Sequence, residues 1–332
     1  MKKSSSYIDK KVYETNEKIA KLQNETKELF FKCLLRGEDE LYFEKQLDKI
    51  WGKIDYSFMQ DDIDEYMYMI HENNLEQANI EEQDVSEVNK KQNYALYLVA
   101  LGLIMTQEKR YKRLINQQYE MSKSSPAYQR DKIEYLKQKV QRYNSQTVPY
   151  FSNGKVIREV KLSTYTAMVE NTNLTRSGWN TTLNDADSLG AEKFYIPYHA
   201  FSCEHCREYQ GRLLSREEVM AHIGIDEEQE GDILHPNCKC SLLIYWGGKI
   251  DNPYNYSEEE LNDQYDIRQK VNSLTLKKSE LLTDRKIYKD LEAQDEIDEI
   301  NKKIRAINSK IKDFQAQLPT DELRKEVVAI NR

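Results

Sequence analysis

Four of the five cysteines fall within residues 203–240, in two short clusters: Cys203-Glu-His-Cys206 and His235-Pro-Asn-Cys238-Lys-Cys240. Two close-set knuckles of thiol and imidazole about thirty residues apart suit a tetrahedral zinc site, because each supplies two ligands and the intervening loop closes on the ion. Five donors compete for four places. Cys203 and Cys206 form the firmest pair and His235 a third ligand, with Cys238 or Cys240 as the fourth, since two thiolates one residue apart rarely both face one ion without strain. His205 is expected to point outward, and His199 is a reserve donor. A thioredoxin-type redox pair expects a βαβ setting and leaves the second cluster unexplained. A disulfide framework needs an oxidising compartment, whereas the chain starts Met-Lys-Lys-Ser-Ser-Ser-Tyr with no apolar leader, so the expectation is a reducing cytoplasm. The expected zinc is structural, because no His-Glu-x-x-His or His-x-Glu helix accompanies these ligands.

The flanking residues predict a small α+β module. Residues 193–201 are rich in aromatic and β-branched types and read as a strand, with Pro197 marking an edge or bulge. Residues 211–214 form a second strand. Ser215 with Glu218 makes a capping box, opening a short helix that Gly224 stops. After an acidic loop at 226–232 and the second knuckle, residues 241–246 give a third strand ending at Gly247-Gly248. So thin a core is one that a bound metal would staple.

Cys203-x-x-Cys206, Tyr209-Gln-Gly211 and the closing His235-Pro-Asn-Cys238-Lys-Cys240 resemble the signature of the phage Mu F-like minor head proteins, over roughly residues 160–246. The closing hexad is the more specific part. Lys239 stands where that family commonly has Arg, which keeps the charge and loses a planar bidentate donor. Upstream, where the family often carries Arg-Thr-Glu on a helix, this chain has Glu170-Asn-Thr-Asn173. Residues 209–214 and the long helical tail are also similar to the phage minor capsid protein 2 group. The resemblance implies a virion or procapsid component acting in head morphogenesis and associated with the portal protein.

Outside the module the chain reads as mainly α. Charged residues make up 32% and hydrophobic ones 39%, with only eleven Gly and six Pro, which suits long one-striped helices better than a turn-rich enzyme. Residues 1–150 form an elongated helical region, 151–250 the Cys/His module and 251–332 a coiled-coil-like helical tail. The apolar run 95–105 is too short to span a bilayer and is expected to be a buried helix, so no membrane role follows. Cys33, in an apolar patch, is a small core residue. Residues 38–88 hold sixteen acids against three lysines, while residues 106–142 hold ten bases against four acids. Such asymmetry serves docking within or between subunits, or transient contact with DNA. In the tail, Ser257 with Glu260 opens a helix, and Ile297, Ile300, Ile304, Ile307, Ile311, Phe314 and Leu318 make a heptad seam ended by Pro319. The two stretches fall out of phase near 289–293, which fits either a stuttered single helix or a hairpin.

No P-loop, Gly-x-Gly-x-x-Gly, Gly-x-Ser-x-Gly or isolated carboxylate pair is present, so no small-molecule substrate is implied. The expectation is a non-enzymatic minor head protein that binds portal or capsid interior, found in the procapsid or virion and in host cytoplasm during assembly. A cytoplasmic helical adaptor with a zinc knuckle is the alternative, and a metal-dependent nuclease using His222 as base is a third.

Overall fold

The computed structural model describes residues 2–81, 83–143, 147–152, 155–223 and 238–329, with twelve helices and five short strands among them. The expected stop at Gly224, the acidic loop at 226–232 and His235 lie outside these residues.

Helix α7 (Leu162–Leu189) is the axis of the molecule and is buried on most of its circumference. Helices α1 (Lys2–Arg36), α3 (Phe58–Ala78) and α4 (Glu87–Lys123) pack around it. Because α7 is rich in Thr, Asn and Ser, its burial depends on side-chain hydrogen bonds. Near its C-terminus Asp185 accepts from Asn74 Nδ2 at 2.9 Å and lies 3.0 Å from His71 Nδ1, which fastens α3 to α7. Further back, burial holds the Glu170 carboxyl well above the usual carboxylate range, and the nearby Asp62 on α3 adds to the shift.

Helix α2 (Glu40–Trp51) starts at Asp39, whose side chain accepts the Tyr42 N–H, and it buries Phe43, Leu47 and Trp51. Phe43 stacks on Tyr119 of α4 with ring centroids 4.1 Å apart, and Trp51 donates to Thr26 of α1. The charge asymmetry of the sequence is partly consumed here: Lys112 of α4 meets Asp48 of α2 at 3.0 Å, and Lys123 meets Glu40 at 3.8 Å.

The apolar run 95–105 is not the buried helix the sequence suggests. It lies within α4, which buries one face through Asn93, Ala100, Ile104, Gln107 and Tyr111. On the other side Leu98, Val99, Leu103 and Met105 are 47%, 61%, 46% and 43% exposed. The reason is geometric: α7 and its neighbours cover one stripe of α4, and an eleven-residue apolar run turns three times round a helix of 3.6 residues per turn.

After α4 come α5 (Pro126–Arg130) and α6 (Lys132–Arg142), separated by Asp131, which caps α6 by accepting from Glu134 N–H. An antiparallel hairpin then follows, β1 (Thr147–Ser152) with β2 (Lys155–Lys161), in a stretch for which the residues predict no strand.

The small sheet has the order β4-β3-β5, with β3 (Lys193–Tyr195) central and β4 (Leu213–Ser215) and β5 (Leu243–Ile244) antiparallel to it. β3 and β5 fall inside the predicted stretches, and β4 overlaps its own and runs one residue past it to Ser215; all three are shorter than expected. Between them lie α8 (Glu204–Arg207) and α9 (Arg216–Ile223). The capping box at α9 is formed: Ser215 N–H donates to Glu218 and Glu218 N–H to the Ser215 hydroxyl. Gly211 has φ +75°, and the Tyr198 ring stands where a Cβ would project, so only glycine fits.

The tail is a hairpin. Helix α10 (Glu258–Asp290), opened by the Ser257/Glu260 capping box, packs antiparallel to α11 (Gln294–Gln317), and α12 (Asp321–Ala329) follows. Ile297, Ile300, Ile304 and Ile307 are buried within the chain. The break falls where the heptad phase changes. There the Glu292 N–H donates to the Lys289 carbonyl and the Ala293 N–H to that of Tyr288, closing a Schellman motif with Glu292 at φ 53°. A non-glycine residue in that conformation costs about 1 kcal/mol. Glu292→Gly should therefore stabilise the protein by about 1 kcal/mol, read as a higher Tm, because it removes the strain and keeps both hydrogen bonds.

Candidate metal centre

Cys206, Cys238 and Cys240 are buried, and their sulfurs all lie within 4.8 Å of one another. Cys206 and Cys238 approach to 3.8 Å. The thiols arrive on two local elements. Cys206 sits in α8, whose N-cap is Cys203; the Cys203 sulfur accepts the Cys206 N–H at 3.4 Å. Cys203 itself is half-buried beside the cluster.

Cys238 and Cys240 belong to an extended segment, and both of their thiols join Cys206. Their spacing predicts rivals for one place, and the structure brings both in. The backbone period explains the difference, because residues i and i+2 of an extended chain point to the same side. That segment is held by α7 through a matched ladder. Asn171 Nδ2 and the Thr175 hydroxyl donate to the Cys238 carbonyl at 2.8 and 3.1 Å. Trp179 Nε1 donates to the Cys240 carbonyl at 2.7 Å, and the Thr182 hydroxyl to the Leu242 carbonyl at 3.1 Å. Four helical residues advance about 6.0 Å, and two extended residues about 6.6 Å. Donors at 171/175, 179 and 182 can therefore follow the carbonyls of 238, 240 and 242 with little mismatch. The helix whose departure at Glu170-Asn-Thr-Asn173 left its role open in the sequence thus positions the second knuckle, with Asn171 as one of the donors.

Lys239, between the two thiols, pairs with Asp9 of α1. Asp9 also receives Arg268 of α10 at 2.5 Å, and the Arg268 guanidinium lies over the Phe201 ring at 5.1 Å. One buried carboxylate thus ties the knuckle to the first helix and the tail. Nothing local in the sequence marks Asp9 or Arg268, because charged positions on exposed-looking helices give no sign of such pairing. His205 is exposed, as expected, and so are Glu204 and Glu208. Cys33, on α1, lies in a different hydrophobic cluster from these thiols, and burial pushes its thiol up to about 11. His222 is in the last turn of α9, and its side chain is outside the described residues.

The electrostatics of the cluster favour a cation. Cys238 accepts from Cys206 and Cys240, which holds its thiol well below the usual range. Cys240 is held well above it, by hydrogen bonds to Cys206 and Cys238 and by burial. Three converging sulfurs can lose their protons to a soft divalent ion, which thiolates select. The donor chemistry therefore fits a metal. A cavity of about 710 Å³ opens beside it, lined by Cys203, Cys206, His199, Lys239, Arg268 and Arg158 among others.

No helix of the described residues is long and apolar enough to cross a membrane. No curated protein and no solved structure matches the chain. The profile of the family described as phage minor capsid protein 2 matches residues 44–319, from the second helix through the small sheet and the thiol cluster to the end of the tail hairpin. Since that span holds α7, the cysteine segment and the α10–α11 hairpin together, the chain belongs to the phage minor capsid protein 2 family.

Proposed function

We propose that this minor capsid protein acts in head assembly by binding the portal protein or the capsid interior, with a structural zinc at Cys206, Cys238 and Cys240 stiffening the node between its helical arms. Membership of the minor capsid family supports a structural role in the phage head. The observation that carries the binding role is the outer face of α4. Ala95, Leu98, Val99, Gly102, Leu103 and Thr106 recur at three- and four-residue steps and are all exposed, forming a largely apolar stripe that no other helix among the described residues covers. Contiguous apolar surface of this kind is characteristic of protein contacts. The stripe runs into the exposed bases Lys109 and Arg110, so the partner surface it fits is an apolar ridge or groove bordered by acidic groups. Procapsid or virion is the corresponding location, reached from host cytoplasm.

Zinc is the cation that buried thiolates and an imidazole would select in a reducing cytoplasm. Its task is structural, since the residues around the cluster are hydrogen bonded to main chain or paired with one another. Contact with DNA fits only as a transient event, because the chain carries a net charge of −8 and several of its bases are engaged by acids within the fold.

The test pairs particle analysis with a surface variant. Procapsids made with portal should contain the protein by mass spectrometry, and those made without portal should lack it. Val99→Asp with Leu103→Asp changes two exposed side chains, so Tm should stay within about 1 °C of wild type, given the small cost of surface substitutions, while incorporation into heads should fall at least tenfold. Equal uptake of the variant, or equal uptake without portal, would show that this face does not mediate portal-linked assembly.

A further inference from the structure

We infer that His199 is the nitrogen ligand that completes a Cys3His centre with Cys206, Cys238 and Cys240. This rests on the reading of the thiol cluster as a zinc site.

A tetrahedral zinc with sulfur arms of about 2.3 Å has sulfur–sulfur edges of about 3.8 Å, and a sulfur–nitrogen edge of about 3.5 Å when the nitrogen arm is about 2.0–2.1 Å. The Cys206–Cys238 separation is 3.8 Å, and His199 Nε2 stands 3.4 Å from the Cys240 sulfur. Both spacings match the edges of such a tetrahedron. Closing the fourth corner needs the imidazole to swing toward Cys206 and Cys238 while keeping its place against Cys240.

The other ring nitrogen supplies an independent argument. His199 Nδ1 lies 3.0 Å from the Ala200 carbonyl, an oxygen that can only accept, so Nδ1 carries the proton and Nε2 presents a bare lone pair toward the thiols. A backbone carbonyl holding one ring nitrogen so that the other can ligate is the usual support of a metal-bound histidine. Position adds to this: His199 lines the cavity beside the thiols, together with Cys203, Cys206 and Lys239.

Charge balance agrees. A zinc with three thiolates and a neutral imidazole carries −1, whereas four thiolates give −2. The adjoining group of Lys239, Arg268 and Asp9 carries a net +1, which offsets the first and leaves the second uncompensated in a largely buried setting. Cys203 then keeps its role as the N-cap of α8.

X-ray absorption at the zinc edge on the full-length protein, purified under reducing conditions, tests the assignment. Wild type should contain about one zinc with three sulfur neighbours, one nitrogen neighbour and imidazole outer-shell scattering. Cys203→Ser and His235→Ala should keep that pattern. His199→Ala should lose the imidazole scattering and bind zinc more than about 100-fold more weakly, beyond the usual effect of removing an outer partner of a ligand. A wild-type centre of four sulfurs, or imidazole scattering that survives His199→Ala and disappears in His235→Ala, overturns the inference and leaves the zinc centre standing. Wild type without stoichiometric zinc overturns both. The wild-type, Cys203→Ser and His235→Ala spectra do not depend on whether His199→Ala folds.

Discussion

Exchanging Cys206 or Cys238 for serine should release zinc and destabilise the segment 193–246 together. Structural zinc contributes on the order of 10 kcal/mol in finger peptides, which have almost no other core. Here the small sheet and α9 also rest on Trp179, Phe194, Ile196, Leu214, Val219, Leu242 and Ile244, so the loss should be several kcal/mol and short of complete unfolding. The expected result is about one zinc per wild-type chain by elemental analysis, less than about a tenth of that in either variant, and rapid proteolysis within 193–246. Chelator treatment of wild type should reproduce the protease sensitivity without any substitution. Acidification should release the metal as well, because protons compete for the thiolates. Wild-type protein lacking stoichiometric metal, or variants that keep both zinc and protease resistance, would remove the zinc centre from the proposed function.

The second large effect is expected at the tail. Ile304→Asp with Ile307→Asp places two carboxylates in the seam between α10 and α11, where both isoleucines are buried. Truncating a buried isoleucine costs about 2–5 kcal/mol, and burying an unpaired carboxylate adds to that. Against a total stability of about 5–15 kcal/mol, the hairpin should open and expose α10 to hydrogen exchange. The defect should ease in acid: the folded state raises the pKa of each introduced carboxyl, so stability is regained as pH falls through that raised value and lost as pH rises through it. Charge reversals at the exposed Lys302 and Lys310 should stay within about 0.5 kcal/mol. Unchanged urea unfolding of the double variant would show that this face is solvated in solution.

Much of the helical framework is legible in the residues because its signals are local. Ser215/Glu218 and Ser257/Glu260 each form the reciprocal capping bonds their spacing implies. The isoleucine seam is buried as its heptad step requires, and the phase change near 289–293 marks the turn of the hairpin. That turn escaped a sharper assignment because its left-handed residue is Glu292 and not the glycine that usually signals such a cap. The hairpin of β1 and β2 carries a weak local signal, because Pro149 interrupts the first strand and Val156-Ile157 breaks the polar–apolar alternation of the second.

The residues alone determine that this chain is mainly helical, that it carries two clusters of soft donors, and that its tail must bury an isoleucine seam. Those properties follow from spacing within one element, where the helix period and the capping geometry act over three or four residues. Only the tertiary structure decides that Cys206, Cys238 and Cys240 converge, that His199 stands at their edge, and that α7 grips the cysteine segment through Asn171, Thr175 and Trp179. It also decides that one apolar face of α4 looks outward while Asp9 is drawn inside between Lys239 and Arg268. Each of these joins residues distant in the chain, and which partner a polar or apolar side chain meets is settled by how whole helices pack, a choice that no local period records.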